Sequence, residues 1–154
     1  MENNLDLFYN HTFEFDKKTM EKVLLIKHKQ KEYTNPLSEV RVHKIHSTLA
    51  SIIGIEEIKL DKVTTFREDT IKTHSENIVE IYNNNISIIY DMEYFPNQEG
   101  NTDVKINIQI LNLNMLPSFM LMLIQPIAES VVYYSFMKER TLEQKIYEKF
   151  IRKD

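Results

Sequence analysis

Apolar residues recur along this chain in two rhythms, and each rhythm predicts an element. His11, Phe13 and Phe15 alternate with Thr12 and Glu14, the period of two that marks a strand with one buried face. Asp16 follows where a helix N-cap is needed, because a short carboxylate can accept from the free amides of a first turn. Met20, Val23, Leu24 and Ile26 then fall at helical spacing, predicting a helix that runs through a polar stretch to about Lys31. Tyr33-Thr34-Asn35-Pro36 ends it, since proline disfavours helical backbone at the residue before it.

From Leu37 to Ile45 the pattern is strand-like, with Val40 and Val42 on one face, while Thr48 to Ile53 fits either helix or strand. After Gly54, extended signals resume at Ile58 and Leu60. A turn is expected at Arg67-Glu68-Asp69, then a strand through Ile71, Thr73 and Ser75. Asn83-Asn84-Asn85 predicts another turn, because asparagine tolerates left-handed backbone. The two strongest strands follow, with Ile86, Ile88, Tyr90, Met92 and Tyr94 on one face and Val104, Ile106, Ile108 and Ile110 on the other strand's face. The polar loop from Pro96 to Asp103 joins them as a hairpin.

The stretch from about Pro117 to Arg152 reads as a long helix, with Pro126 a candidate point for a bend. Ile127, Val131, Tyr134, Leu142 and Ile146 form its expected apolar stripe. Strand, helix, consecutive strands and a long terminal helix make an α+β fold. A curved antiparallel sheet wrapped over the C-terminal helix lets both elements cover an apolar face. Such a layout commonly leaves a cavity between them.

Composition narrows what that cavity can do. The 154 residues fit one domain. A net charge of −4 provides no global positive field, so nucleic acid is not an expected partner. Cysteine is absent, which removes thiolate metal sites and cysteine nucleophiles. With glycine only at Gly54 and Gly100, no phosphate-cradling glycine loop can be built. The first ten residues lack the pattern of a cleaved secretory or mitochondrial presequence. Met115 to Ile124, the longest apolar stretch, is broken by Pro117 and Ser118 and falls short of the roughly 20 residues that span a bilayer. His43 and His46 stand three apart on a strand-like stretch, facing opposite ways, so no metal site is expected. The acids are scattered and no serine motif stands on a strand-turn-helix, so neither catalysis nor a cofactor is expected.

Several stretches resemble one family in order. His11-Thr12-Phe13, a helix, and Lys31-Glu32-Tyr33-Thr34-Asn35-Pro36 resemble the opening of the PRELI/slowmo family with its Tyr-Pro-Asn-Pro motif. Thr70 to Ile78 looks like that family's Lys-Thr-x-Ser/Thr-x-Asn-Leu/Ile strand, and Ile86 to Pro96 is similar to the strand after it. Phe136-Met137-Lys138-Glu139-Arg140 resembles the Lys-Lys-Gly-Arg stretch of its last helix. The resemblance implies a START-like, PRELI-like carrier that takes phosphatidic acid or a related phospholipid between mitochondrial membranes. It would act in the intermembrane space, or in the cytoplasm in the alternative, touching membrane surfaces transiently. A small disulfide-bridged helical-hairpin protein is the partner it implies.

Tyr33, Asn35, Tyr134, Lys138, Arg140 and Leu142 are the candidate lipid-binding residues. Lys138 sits one helical turn from both Tyr134 and Leu142, where its ammonium could meet a headgroup, or could lay its stem on apolar surface and keep its charge in water. Arg140 falls on another side of that helix, suited to a surface or a pocket role. Lys145 and Lys149 share the flank of Lys138, and Lys72 is expected to face outward. The run Met115 to Leu123 can serve as core or as an adaptable lipid-facing surface. The chain departs from the family in carrying Glu32 and Thr34 within the first motif, and in having only Ser47 to Ile53 for a lid. Two other readings stand beside the carrier: a generic START-like module for another hydrophobic molecule, and a scaffold that transfers nothing.

Overall fold

The period-two stretches form six strands: β1 (Leu5–Phe13), β2 (Leu37–Lys44), β3 (Glu57–Phe66), β4 (Ile71–Ile81), β5 (Asn84–Pro96) and β6 (Thr102–Leu111). In the computed structural model, which describes residues 4–29, 36–45, 48–52, 54–55, 57–81 and 83–153, they make one curved antiparallel sheet ordered β1-β6-β5-β4-β3-β2. Strands β2 to β6 are a meander, and β1 adds along the free side of β6 with Leu5 opposite Ile110 and Phe13 opposite Thr102. Helix α1 (Lys17–Lys27) leads away from β1, the short α2 (Thr48–Ile52) follows β2, and α3 (Ser118–Ile146) continues into one wide turn at Tyr147–Ile151. The α+β expectation therefore holds.

Asp16 does cap α1, accepting from the Thr19 amide at 2.8 Å. Met20, Val23 and Leu24 are buried, but the helix stops at Lys27 rather than near Lys31, with Lys29 in left-handed backbone. Strand β1 starts well before His11, because Leu5, Leu7 and Tyr9 already pack against the core. The β4–β5 turn is tighter than three asparagines suggest. Ile81 pairs with Asn84, so only Asn83 of the three lies in the turn, at φ 63°, and Asn84 and Asn85 belong to β5.

Alternation sorts the sheet into two faces. Leu60, Phe66, Ile71, Ile86, Ile88, Val104 and Ile108 point toward the helices and are buried. Val40 and Val42 do share a face, but it is the outer one of an edge strand and both are exposed.

Helix α3 turns Ile127, Val131 and Ile146 of the predicted stripe toward the core, but not Tyr134 or Leu142. Met120, Ile124, Ile127, Val132, Phe136, Arg140, Glu143 and Ile146 are buried, whereas Tyr134 is 58% and Leu142 43% exposed. Two charged residues occupy the inward face, and pattern reading assigns charge to solvent. The outward face is itself apolar, carrying Phe119, Met122, Tyr133 and Tyr134, so hydropathy alone cannot fix the rotation. For the same reason this helix contains an 18-residue window of mean hydropathy 1.3, long and apolar enough to cross a membrane, of which only 28% is buried here.

Candidate functional site

Sheet and α3 do not close completely on each other. Among the described residues two small chambers lie there, and both are bounded by Tyr90 of β5 and Val132 of α3. The apolar chamber, about 60 Å³, is lined mainly by isoleucine, including Ile58, Ile86, Ile88 and Ile110 from the sheet and Ile124 and Ile127 from the helix. The polar chamber, about 50 Å³, is lined by Thr73, Ser75 and Met92 from the sheet and by Ser135, Phe136, Glu139 and Arg140 from α3, with Lys62 at its side. Strand periodicity places Thr73, Ser75, Tyr90 and Met92 here, since every second residue of β4 and β5 faces the helix. A larger trough of about 610 Å³ crosses the outer face of the sheet between Phe8, Lys72, His74 and Lys105, but it is open to solvent and edged with charge.

Arg140 closes the polar chamber at one end and is 2% exposed. Its Nε donates to Glu143 Oε1 at 2.7 Å and its Nη2 to Glu143 Oε2 at 2.9 Å, the two-pronged geometry that a guanidinium and a carboxylate share. Lys27 Nζ from α1 donates to the same Oε2 at 2.8 Å, and the Tyr94 hydroxyl donates to it at 2.9 Å while accepting from Arg140 Nη2 at 3.0 Å. Lys27 also meets Glu139 at 2.9 Å. Arg140 stacks over the rings of Phe136 and Tyr94, at 4.9 and 5.5 Å.

Burial pushes the Glu143 carboxyl upward, but Arg140 and Lys27 overcome that and hold it well below the usual carboxylate range. For Arg140, burial works against the charged form and Glu143 more than offsets it. Burial drives the hydroxyls of Tyr94 and Tyr90 upward, so both stay protonated near neutrality. Burial first, and then the charge of Arg140, lower the His11 imidazole. Glu143 is locked in its ionised form and every oxygen faces a donor. It therefore anchors the helix and is not placed to act as a general base.

Of the candidate lipid-binding residues that the structure describes, Arg140 alone lines the gap, and it does so from deep inside the protein. Tyr134, Lys138 and Leu142 are exposed on the side of α3 turned from the sheet, because the buried row runs through Val132, Phe136, Arg140 and Glu143. Lys145 and Lys149 are also exposed, and Lys72 stands on the outer face of the sheet as expected. Tyr33, Asn35 and His46 lie outside the described residues. The Met115 to Leu123 run is divided: Met120 is in the core, and Met115, Phe119 and Met122 are exposed. Sequence reading missed Lys27, Met92, Tyr94 and Glu143. An Arg and Glu three apart on one helix were a usable signal for an ion pair, but nothing local connects them to Lys27, 116 residues from Glu143.

No family model and no curated protein matches this chain. Among solved structures, one titled "Crystal structure of Ara h 8.0201" is similar over 94% of this chain and 99% of its own, at a TM-score of 0.42 and 9% identity.

Proposed function

We propose that the protein binds a small hydrophobic or amphiphilic molecule, without chemistry, in the gap between the sheet and α3. The observation that carries this reading is the pair of adjoining chambers, one walled by isoleucine and the other by hydroxyls and a buried arginine. Ligand sites combine such apolar walls with a few placed polar groups. Size sets the class of ligand. Neither chamber reaches the roughly 150 Å³ of an apolar cavity that takes benzene, and both lie far below the roughly 300 Å³ at which drug-sized sites begin. A short-chain or single-ring molecule therefore fits with local side-chain adjustment, and a two-chain phospholipid does not fit unless α3 moves off the sheet.

Phospholipid carriage is the second reading, and one observation favours it. Ile52 of α2 and Phe119 and Met122 of α3 are 67%, 61% and 78% exposed, and the two helices touch. Apolar side chains so placed suit contact with a membrane surface during delivery. Phosphatidic acid transfer between mitochondrial membranes, with a helical-hairpin partner, belongs to this second reading.

Mass spectrometry of ligands released from the purified protein, paired with transfer of fluorescent phospholipids between liposomes, separates the two. The first reading expects a small amphiphile in 1:1 ratio and no phospholipid transfer. Co-purified phospholipid together with measurable transfer would favour the second reading. Absence of any ligand, with no uptake of added small apolar molecules, would refute both.

A further inference from the structure

The polar chamber carries a bias among ligands that rests on the binding role proposed above. Three cations stand at or behind it: Lys27, Lys62 and Arg140. Three carboxylates answer them: Glu139, Glu143 and Glu39, the last of which is 4.0 Å from Lys62. Glu39 also meets His28 at 2.9 Å, which adds a charge only when the ring is protonated. Among the described residues the charges at the chamber are therefore balanced before any ligand arrives. Introducing a carboxylate, phosphate or ammonium would leave one buried charge without a counterion, which is costly away from water.

Hydrogen-bonding capacity, by contrast, is not balanced. Arg140 has five N–H groups, and those on Nε and Nη2 meet Glu143 and Tyr94. Among the described residues Nη1 finds only the thioether sulfur of Met92, at 2.9 Å, and sulfur of this kind is a weak acceptor. The Ser75 hydroxyl, 4% exposed and lining the same space, makes no side-chain hydrogen bond among the described residues. Ser135 offers a further hydroxyl from the helix side. Two or three donors thus converge on a small space that shares Tyr90 and Val132 with the isoleucine chamber.

We infer that the site selects an uncharged amphiphile whose single carbonyl or hydroxyl oxygen accepts from Arg140 Nη1 and Ser75, with its hydrocarbon part directed past Tyr90 into the isoleucine chamber. A carboxylic acid of the same length binds only in its protonated form. An alkane of that length fills the hydrocarbon part but leaves the donors unanswered.

The test is an amide-detected NMR titration of the full chain at neutral pH with 1-hexanol, 2-hexanone, hexanoate and cyclohexane. Hexanol and hexanone are expected to shift amides around both chambers, those of Ser75, Met92 and Phe136 included. Their affinity should exceed that of cyclohexane by about tenfold, the worth of one good buried hydrogen bond. Hexanoate should bind at least tenfold more weakly than hexanol, and recover as pH falls toward its own pKa. Ser75→Ala, a change small enough to keep the fold, should narrow the gap between hexanone and cyclohexane. The paired change Arg140→Met with Glu143→Met, which removes both charges together, should abolish it while cyclohexane still binds. Tighter binding of hexanoate than hexanol at neutral pH, or equal binding of cyclohexane and hexanone, would overturn the selection of neutral oxygen and leave the binding role standing. If none of the four binds, the binding role fails and this inference with it.

Discussion

Glu143→Gln offers the sharpest test of how the C-terminal helix is held. In the native protein the Glu143 carboxylate is fully buried and accepts from four donors on three residues: two from Arg140, one from Lys27 and one from Tyr94. An amide of the same shape keeps one acceptor oxygen but turns an NH2 group toward cations that no longer have their counterion. Arg140 and Lys27 are themselves nearly inaccessible, at 2% and 3% side-chain exposure, so water cannot take over. Removing one partner from a buried ion cluster costs about 3–5 kcal/mol, and Glu139, already beside Lys27, places the expected loss toward the lower end of that range.

Urea unfolding followed by far-ultraviolet circular dichroism measures this loss as a shift in midpoint at unchanged slope. The companion variant Arg140→Met with Glu143→Met removes the pair together and should lose less than Glu143→Gln alone, because no buried charge is left facing the missing carboxylate except Lys27, which retains Glu139. Acid should act in the same direction. The folded-state pKa of Glu143 lies below its unfolded value of about 4.5, so its stabilisation is complete above that value and drains away as pH falls toward the folded pKa. Wild type should therefore lose stability below about pH 4.5 more steeply than Glu143→Gln. A loss of less than about 1 kcal/mol in Glu143→Gln, or a double variant as damaged as the single one, would show that this cluster does not anchor α3.

Other consequences can be checked separately. Asp16→Ala should destabilise by about 1 kcal/mol in urea titration, through loss of the cap on the Thr19 amide. The His74 ring, bonded chiefly to Asp91 and then Glu76 on the outer face of the sheet, should titrate by NMR above its ordinary 6.5, and Asp91→Asn should bring it down. Because that folded pKa is raised, the pair helps the fold below the unfolded value and stops helping as pH rises through the folded one. Half-exposed as it is, its effect on stability should stay under roughly 1 kcal/mol. Ala128→Phe places a ring in the isoleucine chamber, and should abolish binding of small apolar ligands in NMR titration while changing stability by no more than about 1–3 kcal/mol.

The parts of this fold that were readable in the sequence are those where one local rule decides. Alternation over Ile86 to Tyr94 and over Val104 to Ile110 fixes which face of the hairpin is buried and excludes one-residue slips of its register, and Asp16 before a helical spacing admits one role. The rotation of α3 was not readable, because it is decided by a contact made across the molecule. Val132, Phe136 and Arg140 turn inward together when Glu143 neutralises the arginine and Lys27, shared with Glu139, ties the carboxylate to α1, and a helix apolar on both sides gives no local hint of this. Thus Tyr134 and Leu142 looked like the inner row and lie on the outer one. Chamber size was equally hidden, since it depends on how closely isoleucines from four strands meet those of the helix, a matter of side-chain fit rather than of pattern.

The same buried cluster constrains how any larger cargo could enter. Arg140, Glu143, Lys27 and Tyr94 tie α3 to α1 and β5, so lifting the C-terminal half of α3 would break several buried charge-assisted bonds at once, at a cost of about 3–5 kcal/mol. Among the described residues the other half of the helix has no such tie. There the apolar chamber lies beneath Ile124 and Ile127, and Pro126 cannot donate to the Met122 carbonyl one turn earlier. Separation at that end would expose isoleucine surface but break no ion pair among the described residues, and the exposed Ile52, Phe119 and Met122 lie on the two helices that would part. Opening should therefore proceed from the α2 side, with the arginine end acting as the hinge. Amide exchange should accordingly be faster from Met120 to Ala128 than from Phe136 to Ile146, and the reverse order would place the mouth of the site at the polar chamber instead.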